Sequence, residues 1–139
     1  MVVVTLLAAV ALAATPACSR PVHVSLSVQG AAGSRIGVIT VRNTGARCTL
    51  RGRPTVRVKA RRQAKVQTSA RPGVPRTVVL PYGHAAVAEF RWSNWCGGRV
   101  TSLAIGIPGG TIVQIPFREA PPCLGPGPSH IEIGAFTAP

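Results

Sequence analysis

The residues of this sequence best suited to chemistry are a dense run of basic side chains, and that chemistry is the binding of anions. Seven of the fifteen residues from 51 to 65 are basic and none is acidic: Arg51, Arg53, Arg57, Lys59, Arg61, Arg62 and Lys65. On a strand and its adjoining loop, such residues form one positive surface. A solvated face that keeps molecules apart gives the same pattern, so both interpretations stand.

The charge of the whole chain agrees with an anionic partner. Sixteen Lys and Arg face three acids, which gives a formal net charge of +13. Only Lys59 and Lys65 are lysines. The other bases are arginines, whose planar guanidinium binds phosphate or carboxylate with two hydrogen bonds. An arginine excess also arises from codon composition or from selection for solubility.

The side chains needed for catalysis or metal binding are scarce. There is no Asp, and the acids and histidines are few: Glu89, Glu119, Glu132, His23, His84 and His130. General acid and base chemistry therefore lacks residues, and no Ser lies in a nucleophile-elbow sequence. No His has a Cys or carboxylate at ligand spacing. We expect a noncatalytic protein without metal or cofactor.

Three aromatic residues could stack against sugars or bases. Trp92 follows the inward side of an alternating pattern, so we expect it in the core. Trp95 adjoins Cys96, and both interpretations remain open for it. Tyr82 lies in a Pro-Tyr-Gly turn.

Four cysteines in a small exported domain predict two disulfides, for which three connectivities exist. In a hairpin, opposed residues are centred on the turn. Cys18 and Cys48 are centred on Gly33, and Cys96 and Cys123 are centred between Gly109 and Gly110. Both centres are turn sequences, which favours these two pairs.

Cys18 has a second interpretation, as a lipidated cysteine directly after a signal peptide. The Thr15-Pro16-Ala17 sequence before it lacks the Leu expected three residues upstream, and lipidation would leave an odd number of cysteines. We therefore favour the disulfide.

The start of the chain resembles an export signal. An apolar run from Val2 to Ala14 precedes the small residues around Ala17. Residues 1–17 are therefore predicted to be a signal peptide and residues 18–139 the domain, secreted or associated with the cell envelope. The run has no charged residue before it, and the alternative is a buried first strand or helix of the domain.

Short alternating segments predict an all-β fold. Val22 to Val28 is the clearest, and seven further segments follow: 36–41, 56–60, 77–80, 86–92, 100–107, 111–117 and 131–135. Residues 62–75 have no apolar periodicity and are expected to form a long, mobile, basic loop. Seven to eight short strands favour a β-sandwich, with a small barrel as the second choice.

Several motifs resemble those of one known family. They are Cys48-Thr49-Leu50-Arg51-Gly52-Arg53-Pro54 after Asn43-Thr44-Gly45, Ala32-Gly33-Ser34, Leu80-Pro81-x-Gly83-x-Ala85, Trp92-Ser93-Asn94-Trp95-Cys96 and Pro121-Pro122-Cys123-Leu124. In this order they are similar to domain of unknown function 4232, common in exported and lipoprotein chains of actinobacteria. The resemblance covers residues 18–136. It implies an immunoglobulin-like β-sandwich outside the cytoplasm and no assigned activity or catalytic residue. The two disulfides predicted from the cysteines would staple this sandwich.

One residue departs from that family pattern. Most members have an aromatic residue where this chain has Arg53, and the change adds to the basic run.

These observations predict a binding or structural module of the cell envelope. Its basic face would contact anionic wall polymers, phospholipid headgroups or an acidic protein by charge complementarity. An extracellular nucleic-acid binder is the alternative, which the charge permits but no binding motif supports. The sequence indicates no oligomeric state.

Overall fold

The computed structural model describes residues 14–19 and 22–139, and this part of the chain is all-β. Most of the predicted signal peptide lies outside the described residues. The strands are β1 (Val22–Ala31), β2 (Ser34–Asn43), β3 (Cys48–Leu50), β4 (Thr55–Ala60), β5 (Val66–Ala70), β6 (Val78–Leu80), β7 (Ala85–Ser93), β8 (Val100–Gly106), β9 (Ile112–Pro116) and β10 (Ser129–Ile133). No helix that could cross a membrane occurs among the described residues.

The strands form three sheets arranged as a sandwich. One sheet has five strands in the order β1-β2-β7-β10-β5, in which only β10 and β5 are parallel. A second has the order β4-β8-β9, and a third pairs β3 with β6. Within residues 14–19 and 22–139 the sheets keep free edges, so this part of the chain does not form a closed barrel.

One hydrophobic core lies between these sheets, because each strand presents alternate residues inward. The five-stranded sheet contributes Phe90 and Trp92, and the facing sheets contribute Leu103 and Leu50, all fully buried. Gly37 opposes Phe90 in the ladder, and a Cβ at that position would clash with the phenyl ring. The predicted β-sandwich is therefore confirmed.

All eight predicted strands are present, and the structure adds β3 and β5. The prediction of a loop over residues 62–75 was wrong, because β5 lies within it. β5 pairs with β10 on one side only, and most of its side chains are partly or fully exposed. A strand with little buried surface has no hydrophobic alternation, so the sequence pattern could not reveal it.

Both predicted disulfides are present, joining Cys18 to Cys48 and Cys96 to Cys123, and no described cysteine is free. The sulfur of Cys18 is thus held in the disulfide rather than free for lipid. The turns also fall close to the expected centres, at Ala32 and Gly33 and around Gly109.

The geometric reason for the first pair was nevertheless incomplete. Cys18 does not oppose Cys48 across the β1–β2 hairpin. Instead the N–H of Cys18 donates to the carbonyl of Thr49 at 2.8 Å, and the N–H of Thr49 donates to Pro16 at 2.9 Å. The segment before β1 therefore runs parallel to β3, and the disulfide ties these neighbours together.

Candidate anion-binding surface

β4 places two of the predicted anion-binding residues on the outside of the three-stranded sheet. Arg57 and Lys59 are exposed, and they alternate with the buried Val56 and Val58. The strand period of two produces this separation, since the valines face the core and the bases face solvent. Opposite the two bases on β8 lie Ala104 and Ser102, which are small and uncharged.

The turn after β4 adds three more of the predicted residues, Arg61, Arg62 and Lys65, all exposed. This turn is held by backbone hydrogen bonds. The N–H of Arg61 donates to Arg99 at 3.0 Å, and the N–H of Gly98 donates to Arg62 at 2.7 Å. The guanidinium of Arg62 also donates to the Cys96 carbonyl at 3.2 Å. The turn is therefore fastened to the segment that carries the second disulfide.

Arg99 belongs to the same surface, although the sequence analysis missed it. It precedes β8, whose antiparallel pairing with β4 brings Val100 opposite Ala60. The correct strand pairing would have been the signal, because it places residue 99 beside residue 61. We call the resulting group the basic side: Arg57, Lys59, Arg61, Arg62, Lys65 and Arg99.

The three acids of the sequence lie away from the basic side. Glu89 and Glu132 project from the outer face of the five-stranded sheet, where Arg71 donates to Glu89 at 2.7 Å and lies 3.4 Å from Glu132. These two are the ion pairs found among the described residues. Glu119 follows β9, near the opposite edge of the sandwich, where its carbonyl accepts a hydrogen bond from Arg35. The charge of the basic side is therefore uncompensated.

Two predicted residues are not part of the basic side. Arg51 is exposed in the bend between β3 and β4. Arg53 is partly buried, and its guanidinium donates to the carbonyls of Arg71 at 3.1 Å and Gly73 at 2.7 Å. Its Nε is buried without a hydrogen-bond partner in the described part of the chain. Arg53 thus holds the loop after β5 instead of facing an external anion.

A groove opens along the basic side, between the edge strands of the two sheets. It has a volume of about 730 Å³ and lies between β4 and β5. Its apolar lining is Val56, Val58, Ala60, Ala64 and Val66, and its polar lining is Arg57, Lys59, Gln63, Thr68 and Thr101. The groove therefore combines an apolar floor with a basic rim.

The histidines do not gather with other ligating groups. All three are exposed, and among residues 14–19 and 22–139 no three His, Cys, Asp or Glu side chains come together as a metal site. His130 contacts Ser69 at 2.9 Å across the β5–β10 pair. The pair is exposed, and none of the described hydrogen bonds joins an acid to the imidazole. It has the contact of a nucleophile with its base but lacks a third group to orient that base.

The two tryptophans pack within the protein. Trp92 is buried, and its indole N–H donates to the Ser129 hydroxyl at 2.7 Å. Trp95 is 5% exposed and packs edge-on against Trp92 with ring centroids 5.6 Å apart. The core prediction for Trp92 is confirmed, and the open choice for Trp95 resolves the same way. Tyr82 is 74% exposed in the turn between β6 and β7.

Comparison with known proteins gives a family and no function. No curated protein and no solved structure matches the chain. The model of one protein family, described as a domain of unknown function (DUF4232), matches residues 18–136. That match spans both disulfides and all ten strands. The chain therefore belongs to the domain of unknown function family DUF4232.

Proposed function

We propose that this domain is a noncatalytic module, secreted or held in the cell envelope, whose basic side binds anionic envelope material or an acidic protein. The observation that carries the proposal is the uneven distribution of charge. Six bases line the β4 side and its turn, while all three acids lie elsewhere and two of them already contact Arg71. The charge of the basic side is therefore not neutralised by an acid of the protein, and it is available to attract an external anion.

The scaffold suits binding by charge complementarity. Arg57 and Lys59 project from a strand, and the Arg61–Lys65 turn is fixed by backbone hydrogen bonds to residues 98 and 99. The guanidinium of Arg62 donates to the carbonyl of Cys96, which is bonded to Cys123 through its sulfur. Because the backbone that carries these bases is already fixed, binding requires only their side chains to be ordered, so more of the electrostatic attraction remains as affinity than on a mobile loop.

An extracytoplasmic location agrees with the cysteines. Two disulfides and no free cysteine among the described residues are typical of small domains that fold in an oxidising compartment. A module of this kind would meet the polyphosphate and carboxylate groups of envelope polymers and lipids outside the cytoplasm.

The test is binding to three anions in competition: purified wall polymer, vesicles of anionic phospholipid and duplex DNA, at physiological salt. Two variants of equal charge run alongside the parent protein. One carries Arg57→Gln, Lys59→Gln and Lys65→Gln on the basic side. The other carries Arg47→Gln, Arg76→Gln and Arg91→Gln, three exposed bases elsewhere. At about 0.5–1 kcal/mol for each exposed charge contact, the first should lose about 10-fold or more in affinity.

The control variant should retain nearly all of the affinity. Equal losses in both variants would show that only net charge matters, and no binding to any of the three anions would refute the proposal. Preferential binding to DNA would favour the alternative, an extracellular nucleic-acid binder. The buried tryptophans count against the single-stranded form of that alternative, because binding of single strands relies on exposed aromatic side chains beside the bases.

A further inference from the structure

β4 offers a free strand edge along the basic side. It ends the β4-β8-β9 sheet, and no other described strand pairs with its second edge. The Val58 carbonyl faces that edge, where the side-chain amide of Gln63 donates to it at 3.1 Å. In an antiparallel pair, the N–H and C=O of one residue point the same way, so the N–H of Val58 faces the edge too.

The side chain of Gln63 already makes the contact that a neighbouring strand would make. It supplies one N–H donor to one carbonyl of the edge and leaves the rest of the strand open. Gln63 is exposed, so solvent can replace this contact at low cost. From Thr55 to Lys59 the edge is thus protected by this contact and by the charges of Arg57 and Lys59. The register irregularity of the β4–β8 pair lies between Lys59 and Ala60, at the end of the strand.

The groove beside this edge would contact the two faces of an added strand differently. A strand added to β4 would place alternate residues over the floor, against Val56, Val58 and Val66. The residues between them would point outward beside Arg57 and Lys59. Apolar side chains fit the first row, and carboxylates fit the second through cross-strand charge pairs.

We infer that the occupant of this groove is an extended segment of an acidic protein, with carboxylate and apolar residues in alternation, which pairs with β4 as an additional strand. The inference rests on the proposed function and names its partner. Charge complementarity favours this occupant over a second copy of the chain, because two basic sides of this protein would repel each other. Main-chain hydrogen bonds would supply affinity, and the two rows of side chains would supply specificity.

The experiment uses the oxidised protein and synthetic peptides of eight residues, each acetylated at its N-terminus and amidated at its C-terminus. The first peptide alternates Glu and Val. A second has the same composition in two blocks, four Glu followed by four Val. A third alternates Glu and Val but is N-methylated at every second residue, so that it cannot donate along one edge. Inorganic polyphosphate serves as an anion without a peptide backbone, and affinities are measured by titration.

Two protein variants separate the backbone contribution from the charge. Val58→Pro removes the N–H that faces the free edge, and proline is tolerated at such a position of an edge strand. Arg57→Gln with Lys59→Gln removes the outward charges. Circular dichroism and thermal melting confirm that each variant is folded, and the N-methylated peptide tests the same hydrogen bonds on the unaltered protein.

The alternating peptide should bind about 10-fold more tightly than the block and N-methylated peptides. Val58→Pro should weaken the alternating peptide to a similar extent and leave polyphosphate binding unchanged, whereas the charge variant should weaken both ligands. Equal affinity for the three peptides, or a dimer of the free protein that Val58→Pro dissociates, would overturn the inference alone. Binding of neither peptide nor polyphosphate would overturn the proposed function as well.

Discussion

The basic side and the outer face of the five-stranded sheet use the same side chains in opposite ways. On the sheet face, Arg71 contacts both Glu89 and Glu132, so its charge is neutralised within the protein. On the basic side, Arg57 and Lys59 lie opposite Ala104 and Ser102, which offer them no charge. The excess positive charge is therefore concentrated on a surface where no acidic side chain neutralises it. Mutations should act on stability at the first surface and on binding at the second.

The largest stability effect is expected from Arg53, which belongs to the basic run but serves an internal purpose. Arg53→Ala removes two hydrogen bonds to carbonyls of the loop after β5. Because its buried Nε gains no partner, we expect a modest loss, about 1 to 2 kcal/mol in the free energy of unfolding. Urea unfolding followed by tryptophan fluorescence measures it.

Arg51→Ala is the matched control for Arg53, since Arg51 is a neighbouring exposed base with no described hydrogen bond. Affinity for polyphosphate should be nearly the same in both variants. A large loss of affinity in Arg53→Ala at unchanged stability would show that Arg53 belongs to the binding surface and would contradict its internal role.

A smaller effect is expected where charge is already paired. Arg71→Ala leaves Glu89 and Glu132 without their shared cation, and we expect it to cost about 0.5 to 1 kcal/mol, because the pair is well exposed and screened. Adding Glu89→Gln and Glu132→Gln to this variant should recover part of the loss. Chemical unfolding at low and high salt checks both results; an Arg71→Ala loss that salt does not change would mean that packing, rather than charge, is responsible.

The smallest stability effect is expected on the basic side itself. Arg57→Gln should change the free energy of unfolding by less than about 0.5 kcal/mol, because the guanidinium has no hydrogen-bond or ion-pair partner among the residues that the structure describes. Relief of repulsion from Lys59 and Arg61 would make the change favourable at low salt. A destabilisation comparable to that of Arg71→Ala would show that Arg57 has an internal role after all.

The sequence predicted those parts of the fold that bury one face. β1 and β7 alternate strictly because one row of side chains enters the core, and the eight segments found in this way are all strands. β3 has three residues and β5 has little buried surface, so neither leaves a pattern that periodicity can detect. The pairing of Cys18 with Cys48 depends on the segment beside β3, a long-range contact that local hairpin geometry does not contain.

The candidate site was predicted as a run of charges rather than as a surface. Five of the seven bases do lie together, because β4 and its turn are continuous in sequence. Arg53 belongs to the same run, but its guanidinium donates to carbonyls of a loop distant in sequence, which a run of charges does not reveal. Arg99 was omitted because only the β4–β8 pairing brings it to Arg61.

The most direct test of the central claim uses the two lysines of the chain, Lys59 and Lys65, both of which lie on the basic side. The oxidised protein is acetylated briefly with and without polyphosphate, and the rate at each lysine is read by mass spectrometry, with free Nα-acetyl-lysine in the same solution as internal control. We predict that polyphosphate slows acetylation of both lysines about 10-fold and leaves that of Nα-acetyl-lysine nearly unchanged. Unchanged lysine rates while polyphosphate remains bound would contradict the account.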